Sequence, residues 1–406
     1  VDMGGTSFDA ALVRDGEPAV TTTGTVNHYA LALPSMEIKT IGAGGGSIAW
    51  IDDGGLLRMG PQSAGAAPGP ACYGLGGAEP TCTDANLVLG YLSPAFFAGG
   101  RMRLDAEAAQ RAIRERIAGP LGMDVVDAAS GMYQVINVNM AAAIREISVQ
   151  KGYDPREFPL LCAGGAGPIH GASIAAELGI RQIVVPRDSS IFCAAGMLRT
   201  DLKRDYVRSV AQPLPQVDGP AGRDDRIGEL AALLEAQARA ALDAEGFSRS
   251  RQRLRFSLDL RYLGQYHEVN VGVPAKLLKE GAWDGIRRLF HRQHDRMYGY
   301  SLADDGTVVE ILNLRLAAIG VTVKPAPERQ ARVAASAARA LKGERPAYQP
   351  DRKAFRTVSV YDGDRLQHGH RVAGPAIIES VNTTIVVPGG YLAEYDEQGN
   401  CLLGAR

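Results

Sequence analysis

The chain has 406 residues, 46% hydrophobic and 22% charged, which is a globular composition long enough for two or three domains with ordinary cores. A net charge of -1 leaves no electrostatic footprint for nucleic acid or an anionic membrane. No apolar run approaches the ~18 residues of a spanning helix, and five scattered cysteines without a C-x-x-C pair suit reduced thiols in a cytoplasmic protein.

The first residues, Val-Asp-Met-Gly-Gly-Thr-Ser-Phe-Asp-Ala-Ala-Leu-Val (1 to 13), read as a strand end, a glycine loop and a second strand. Gly4 and Gly5 lack a Cβ, so positive φ is open to them and backbone N–H groups can converge on an anion. The Thr6 and Ser7 hydroxyls add donors. Asp2 and Asp9 flank the loop; carboxylates beside a phosphate make sense when a hard cation such as Mg2+ lies between them. The following Arg-Asp-Gly-Glu-Pro (14 to 18) is a turn of Asp-Gly type, so the loop is expected at the tip of a hairpin. A tight structural turn explains a lone D-x-G-G-T equally well.

Glycines cluster again at Gly42 to Gly46, followed by Ser47, where Gly44 and Gly45 either present backbone donors to a cleft or allow a close crossing of chains. Asp84 and Asn86, in Pro-Thr-Cys-Thr-Asp-Ala-Asn-Leu-Val-Leu-Gly (80 to 90), either orient a substrate or metal-bound water or, for Asp84, cap a helix. Residues 128 to 147 form the clearest helix, with Ile136, Met140, Ile144 and Ile147 at helical spacing on one face.

Residues 159 to 186 are more informative. A short apolar strand enters Gly164-Gly165-Ala166-Gly167, Pro168 suits a first helical turn, and a second strand covers 182 to 185. This is a β-α-β unit with a glycine loop at a helix N-terminus, where a phosphate or the face of a base could approach. It is neither a Walker A loop nor a dinucleotide fingerprint; tight helix–strand packing alone is the competing reading. His170 sits at the start of that helix, as a packed or capping group or a proton carrier.

Beyond it, 213 to 224 read as a linker, about 226 to 245 as an amphipathic helix, and 254 to 273 and 308 to 322 as strands. His291 and His294 share a helix face without a third ligand nearby, and His267 reads as structural. The expected organisation is an α/β lobe at 1–205, an α+β region at 206–325, a linker at 326–354 and a β-rich C-terminal domain at 355–406. No nucleophile elbow is present.

Together, the acidic Gly-Gly hairpin and a Gly-Gly-x-Gly-Pro loop about 160 residues later resemble the second lobe of the actin-like ATPase (ribonuclease H-like) superfold. Thr-Ile-Gly-Ala-Gly-Gly-Gly-Ser-Ile-Ala-Trp (40 to 50), Gly-Pro-Gln-Ser-Ala-Gly-Ala-Ala-Pro-Gly-Pro-Ala-Cys-Tyr-Gly (60 to 74) and residues 80 to 90 resemble the hydantoinase A / 5-oxoprolinase family, which includes ketone carboxylase subunits. The resemblance continues through 151 to 158, 261 to 269 and 374 to 380 and covers essentially the whole chain. It implies ATP and Mg2+ as cofactors, phosphate contacts from Gly4, Gly5, Thr6 and Ser7, adenosine contacts from Gly164, Gly165, Ala166 and Gly167, and metal binding by Asp2 and Asp9. It further implies a hydantoinase B-type partner and a cyclic amide or ketone substrate. A lobe preceding Asp2, with its own D-x-G-G-T loop, is expected in the complete polypeptide. Phe8 stands where the family usually has Thr, Leu75 where Arg is common, and 187 to 196 replace a Pro-Gly-containing loop.

Overall fold

The glycine-rich stretch between two acidic residues folds as the alternation of its neighbours dictates. Asp2–Met3 (β1) and Phe8–Ala11 (β2) pair antiparallel, with Asp2 opposite Asp9 and Met3 opposite Phe8. Met3, Phe8 and Ala10 turn inward to the core, while Asp9 and Ala11 point the other way, the period-2 pattern of a strand. The structure, a computed structural model, describes residues 1–21, 24–26, 29–31, 35–216, 225–326 and 328–405. Most of the expected 213–224 linker lies outside them. Asp15 and Gly16, at φ 52° and 79°, make the expected turn between Val13–Arg14 and Glu17–Pro18.

Two compact units emerge, Val1–Ala195 with Ala326–Arg406, and Gly196–Pro325. In the first, Ile38–Ile41 (β3) pairs with β2, and β1 bridges in parallel to Ala163, just past Leu160–Leu161 (β4). Two backbone bonds fasten it, Met3 N to Ala163 O at 3.1 Å and Ala163 N to Val1 O at 2.8 Å. β4 runs parallel to Gln182–Val185 (β5), completing the expected β-α-β unit around the helix Gly167–Leu178. The order β3-β2-β1-β4-β5, an antiparallel meander joined to parallel strands through a helix, is the α/β lobe that the sequence led us to expect.

The tail does not stand apart from this lobe. Cys401–Ala405 (β8) pairs antiparallel with β5 and carries Tyr391–Tyr395 (β7) and Arg371–Ala373 (β6) with it. Residues 355–406 were expected as a separate domain and 326–354 as a linker. Instead, 341–349 form a strand of a second sheet with Ala354–Asp362, Ala376–Ser380 and Thr383–Val387. Strand Leu341–Gln349 buries Ala347 and Tyr348, which the alanine- and lysine-rich surroundings disguised. The two compact units divide between Ala195 and Gly196, and strand Leu202–Pro213 pairs along its length with Val309–Gly320.

Helices cover the lobe. Cys82–Val88 (α1) is short and deeply buried; Val125–Ile147 (α2) starts where the Asp124 side chain accepts from Val126 N at 2.7 Å; Gly167–Leu178 is α3. The expected face of α2, Ile136, Met140, Ile144 and Ile147, is buried throughout. Each such side chain is worth about 1.5–3 kcal/mol.

The second unit is a four-stranded antiparallel sheet in the order Leu202–Pro213, Val309–Gly320, Gln252–Tyr262, Val269–Val273, with helices Asp225–Ala244 and Trp283–Tyr298. Its core gathers Trp283, Phe290, Leu258 and Leu314. Asp259, 2% exposed, is neutralised by Arg315 Nε at 2.6 Å and accepts hydrogen bonds from the side-chain amides of Asn270 and Asn313. Among the described residues no helix is long and apolar enough to cross a membrane.

Candidate functional site

Glycine brings the two loops together. Gly164 takes φ 88°, and a Cβ there would stand 2.2 Å from Met3 O, so only glycine lets its loop abut β1. Gly164 N donates to Ser189 O at 2.7 Å and Ala166 N to Met3 O at 3.1 Å. Behind the first tip, a Cβ on Gly44 would meet Thr6 N at 2.5 Å. The close crossing is stapled by Gly45 N to Gly4 O at 3.0 Å and Gly46 N to Gly5 O at 2.6 Å.

The result is one cavity of about 310 Å³ inside the first unit. Gly4, Gly5, Gly45, Gly165 and Ala166 line it, although the two loops are about 160 residues apart. Gly4 and Gly5 do not adopt the left-handed backbone that their composition allowed; their service is space, for a Cβ on either would meet no atom within 4 Å. Gly44, Gly164 and Gly167 sit behind this surface, buried, and do not line the cavity; Thr6 is exposed at the tip.

The opposite walls come from regions that the sequence reading left unassigned. Phe96, Phe97 and Val381 are apolar, while Asn382, Thr383 and Thr384 belong to the turn between Ala376–Ser380 and Thr383–Val387 or to its second strand. Thr383 Oγ1 donates to Gly165 O at 3.1 Å, tying that turn to the second glycine loop. Glu379, 3% exposed, is neutralised by Lys342 Nζ at 2.6 Å and by Arg345. The family-like 374 to 380 stretch was the one signal pointing to this wall.

Asp2 and Asp9 face each other across β1 and β2. Directly opposed residues place their Cβ atoms about 4.5–5.5 Å apart on one face. Thr40 Oγ1 donates to Asp9 Oδ1 at 2.5 Å and Ser7 Oγ to Asp9 Oδ2 at 3.3 Å, so the Ser7 hydroxyl serves Asp9. Cys193 Sγ donates to Asp2 Oδ2 at 3.3 Å. A carboxylate has about four lone-pair sites, so both retain capacity. Neither lines the cavity itself, and among the described residues no group of three or more His, Cys, Asp or Glu is placed to hold a metal ion. Two carboxylates fit Mg2+, which keeps several waters and takes the rest of its shell from phosphates.

The remaining candidates find structural partners. Asp84 is fully buried, and its carboxylate accepts from Ala71 N, Cys72 N, Thr81 N and Thr81 Oγ1. It closes a capping box on α1 with Thr81 as the N-cap, so Asp84 is the reciprocal partner rather than the cap. His170 is buried on α3, held by Asn137 and Asn86, and burial pushes its pKa down to about 3. It is neutral at working pH and carries no proton into the cavity. His291 bonds the Tyr262 phenol at 2.7 Å, His294 bonds Tyr300 O at 3.0 Å, and His267 is exposed.

The profile of the hydantoinase/oxoprolinase family matches residues 1–206 and that of the hydantoinase/oxoprolinase C-terminal domain matches 224–400. The chain is 38% identical over 403 residues to the caprolactamase subunit alpha of Pseudomonas jessenii, covering 98% of this chain and 56% of the relative. It is 33% identical over 410 residues to the acetophenone carboxylase gamma subunit of Aromatoleum aromaticum, covering 100% and 56%. A nucleotide-free acetone carboxylase structure, solved for the mechanism of ATP-dependent acetone carboxylation, superposes with a TM-score of 0.86 at 29% identity, over 100% of this chain and 58% of that one. The chain thus spans little more than half the length of these relatives. It belongs to the hydantoinase/oxoprolinase family.

Proposed function

We propose that this chain forms one wall of an ATP-dependent site that activates a cyclic amide by phosphorylating its carbonyl oxygen before the ring opens. The observation that carries the reading is the convergence of Gly4-Gly5 and Gly165-Ala166 on one cavity. The open space over Gly4 and Gly5 admits a phosphate to the backbone, with the Thr6 hydroxyl beside it. The Gly165-Ala166 side is left for the adenosine. Asp2 and Asp9 would hold Mg2+, which would supply charge neutralisation for the phosphoryl group.

A cyclic amide is a poor electrophile and its nitrogen a poor leaving group. Transfer of the γ-phosphoryl group to the carbonyl oxygen releases ADP and leaves the carbon open to water. The ring C–N bond then breaks, a proton goes to nitrogen, and an acyl phosphate remains. A second water opens its C–O bond and releases phosphate. The residues of this chain contribute position and electrostatics. The subunit names of the relatives support a partner chain or domain, which we take to be of hydantoinase B type. Four buried free thiols favour a reducing, cytoplasmic setting.

The test is ATP turnover by the complete polypeptide with its partner. Turnover that rises with 2-pyrrolidinone or ε-caprolactam, and falls at least about tenfold in Asp2→Asn, supports the reading. Turnover that needs acetone and bicarbonate makes it a ketone carboxylase subunit, the competing reading favoured by the carboxylase relatives. Turnover that depends only on a protein partner makes it a nucleotide switch.

A further inference from the structure

The polarity of one cavity-lining side chain can be traced atom by atom. Asn86 is 2% exposed and lines the cavity, and its Oδ1 is a buried oxygen with no hydrogen-bond partner. Its Nδ2 is held from behind, 3.2 Å from His170 Nε2 and 3.5 Å from Cys82 Sγ. Which end of the amide is free depends on the His170 tautomer, and Asn137, on the other side of the ring, sets that tautomer. Asn137 Oδ1 lies 2.8 Å from His170 Nδ1, and an amide oxygen only accepts, so Nδ1 carries the proton. Nε2 then accepts from Asn86 Nδ2. His170, stacked on Tyr133 with ring centroids 4.9 Å apart, cannot turn without breaking this chain.

The relay from Asn137 through His170 thus ends in an unpartnered oxygen on a residue that lines the cavity. A buried acceptor without a donor is costly, and native sites satisfy such groups with water or ligand. Phe96, Phe97 and Val381 give this otherwise mixed cavity an apolar wall on which a flat ligand can rest. We propose that Asn86 Oδ1 accepts a hydrogen bond from an N–H of the bound ligand, and that His170 and Asn137 are positioning residues that hold it in that polarity. A secondary cyclic amide carries such an N–H, as does the amine of a purine; a simple ketone carries none. The inference rests on the reading of this cavity as the substrate and nucleotide site.

Two measurements on the wild-type complete polypeptide with its partner need no variant to fold. Nitrogen NMR of the His170 ring is expected to show the Nδ1–H tautomer, and Asn137→Ala to shift it toward Nε2–H. A wild-type Nε2–H tautomer would turn the Asn86 nitrogen outward and overturn the proposal. By calorimetry, 2-pyrrolidinone is expected to bind at least about tenfold more tightly than N-methyl-2-pyrrolidinone, the scale of one lost hydrogen bond. Asn86→Ala should erase that preference. If instead Asn86→Ala weakens ATP about tenfold and leaves the amide preference unchanged, the N–H comes from the purine and the acceptor role stands. No loss for either ligand overturns it. Failure of amide-dependent ATP turnover, with the tautomer as expected, would count against the functional reading and not against the relay.

Discussion

Gly164 packs against Met3 so closely that a β-carbon on Gly164 would lie 2.2 Å from the Met3 carbonyl oxygen and 2.6 Å from Asp2 Oδ1. This contact joins the two glycine loops, and it makes a stability prediction with an internal control. Gly164→Ala meets both a positive φ and a backbone clash, so we expect a loss of more than about 3 kcal/mol. Gly152→Ala meets a similar φ, 81°, with nothing within 4 Å, and should cost only about 1 kcal/mol. Urea unfolding of both variants checks the difference; equal losses would mean that the close approach is not a constraint.

Asp84 gathers four donors on one fully buried carboxylate and joins the 71–72 turn to the start of α1. Asp84→Asn turns one acceptor into an NH2 group facing donors. We expect about 2–4 kcal/mol of destabilisation, from charge-assisted hydrogen bonds lost and N–H groups left unpaired. The check is the thermal midpoint. A variant of wild-type stability with abolished turnover would instead make Asp84 catalytic.

His170 links stability to pH. Its folded pKa is about 3, lowered by burial from the ordinary imidazole value of 6.5. Below pH 6.5 the unfolded chain binds a proton that the folded chain refuses, so stability present above that pH is lost as pH falls toward 3. Between pH 6 and 4.5, wild-type stability should fall up to about 1.4 kcal/mol per unit more steeply than that of His170→Gln. Parallel slopes would show that His170 titrates normally and is not buried as described.

Of the five cysteines, four are buried and Cys193 is exposed. Its Sγ donates to Asp2, and that bond, first, and partial burial hold the thiol above its usual range. An aromatic disulfide reagent should label one thiol in the native protein, slowly, and Asp2→Asn should speed the reaction several-fold by relieving the suppressed thiolate. Labelling of Cys72 or Cys162 under native conditions would contradict the packing around the glycine loops.

The hairpin at Asp2 to Ala11, the long helix face from Ile136 to Ile147 and the β-α-β unit around Gly164 were legible because each depends on local periodicity or on glycine at a turn. Their meeting at one cavity was foreseeable only through family resemblance, since no local signal sets a contact across about 160 residues. The return of the tail to the lobe was not legible. Cys401–Ala405 is an ordinary alternating strand, and nothing within it says that its partner is Gln182–Val185. Asn86 was noticed in the sequence, but its unpaired oxygen depends on the tautomer of His170, held by Tyr133 and Asn137 on another helix. Gly4 and Gly5 were expected to matter for backbone freedom; the space they leave open is what counts.

The central claim, that this cavity serves transfer of phosphate to an amide oxygen, is tested most directly by isotope. Turnover of carbonyl-18O 2-pyrrolidinone with unlabelled ATP by the complete polypeptide and its partner would be followed by mass spectrometry of the released phosphate. One 18O atom per phosphate is expected, because the carbonyl oxygen accepts the phosphoryl group and departs with it. Phosphate free of label, formed while the ring is opened, would contradict the account.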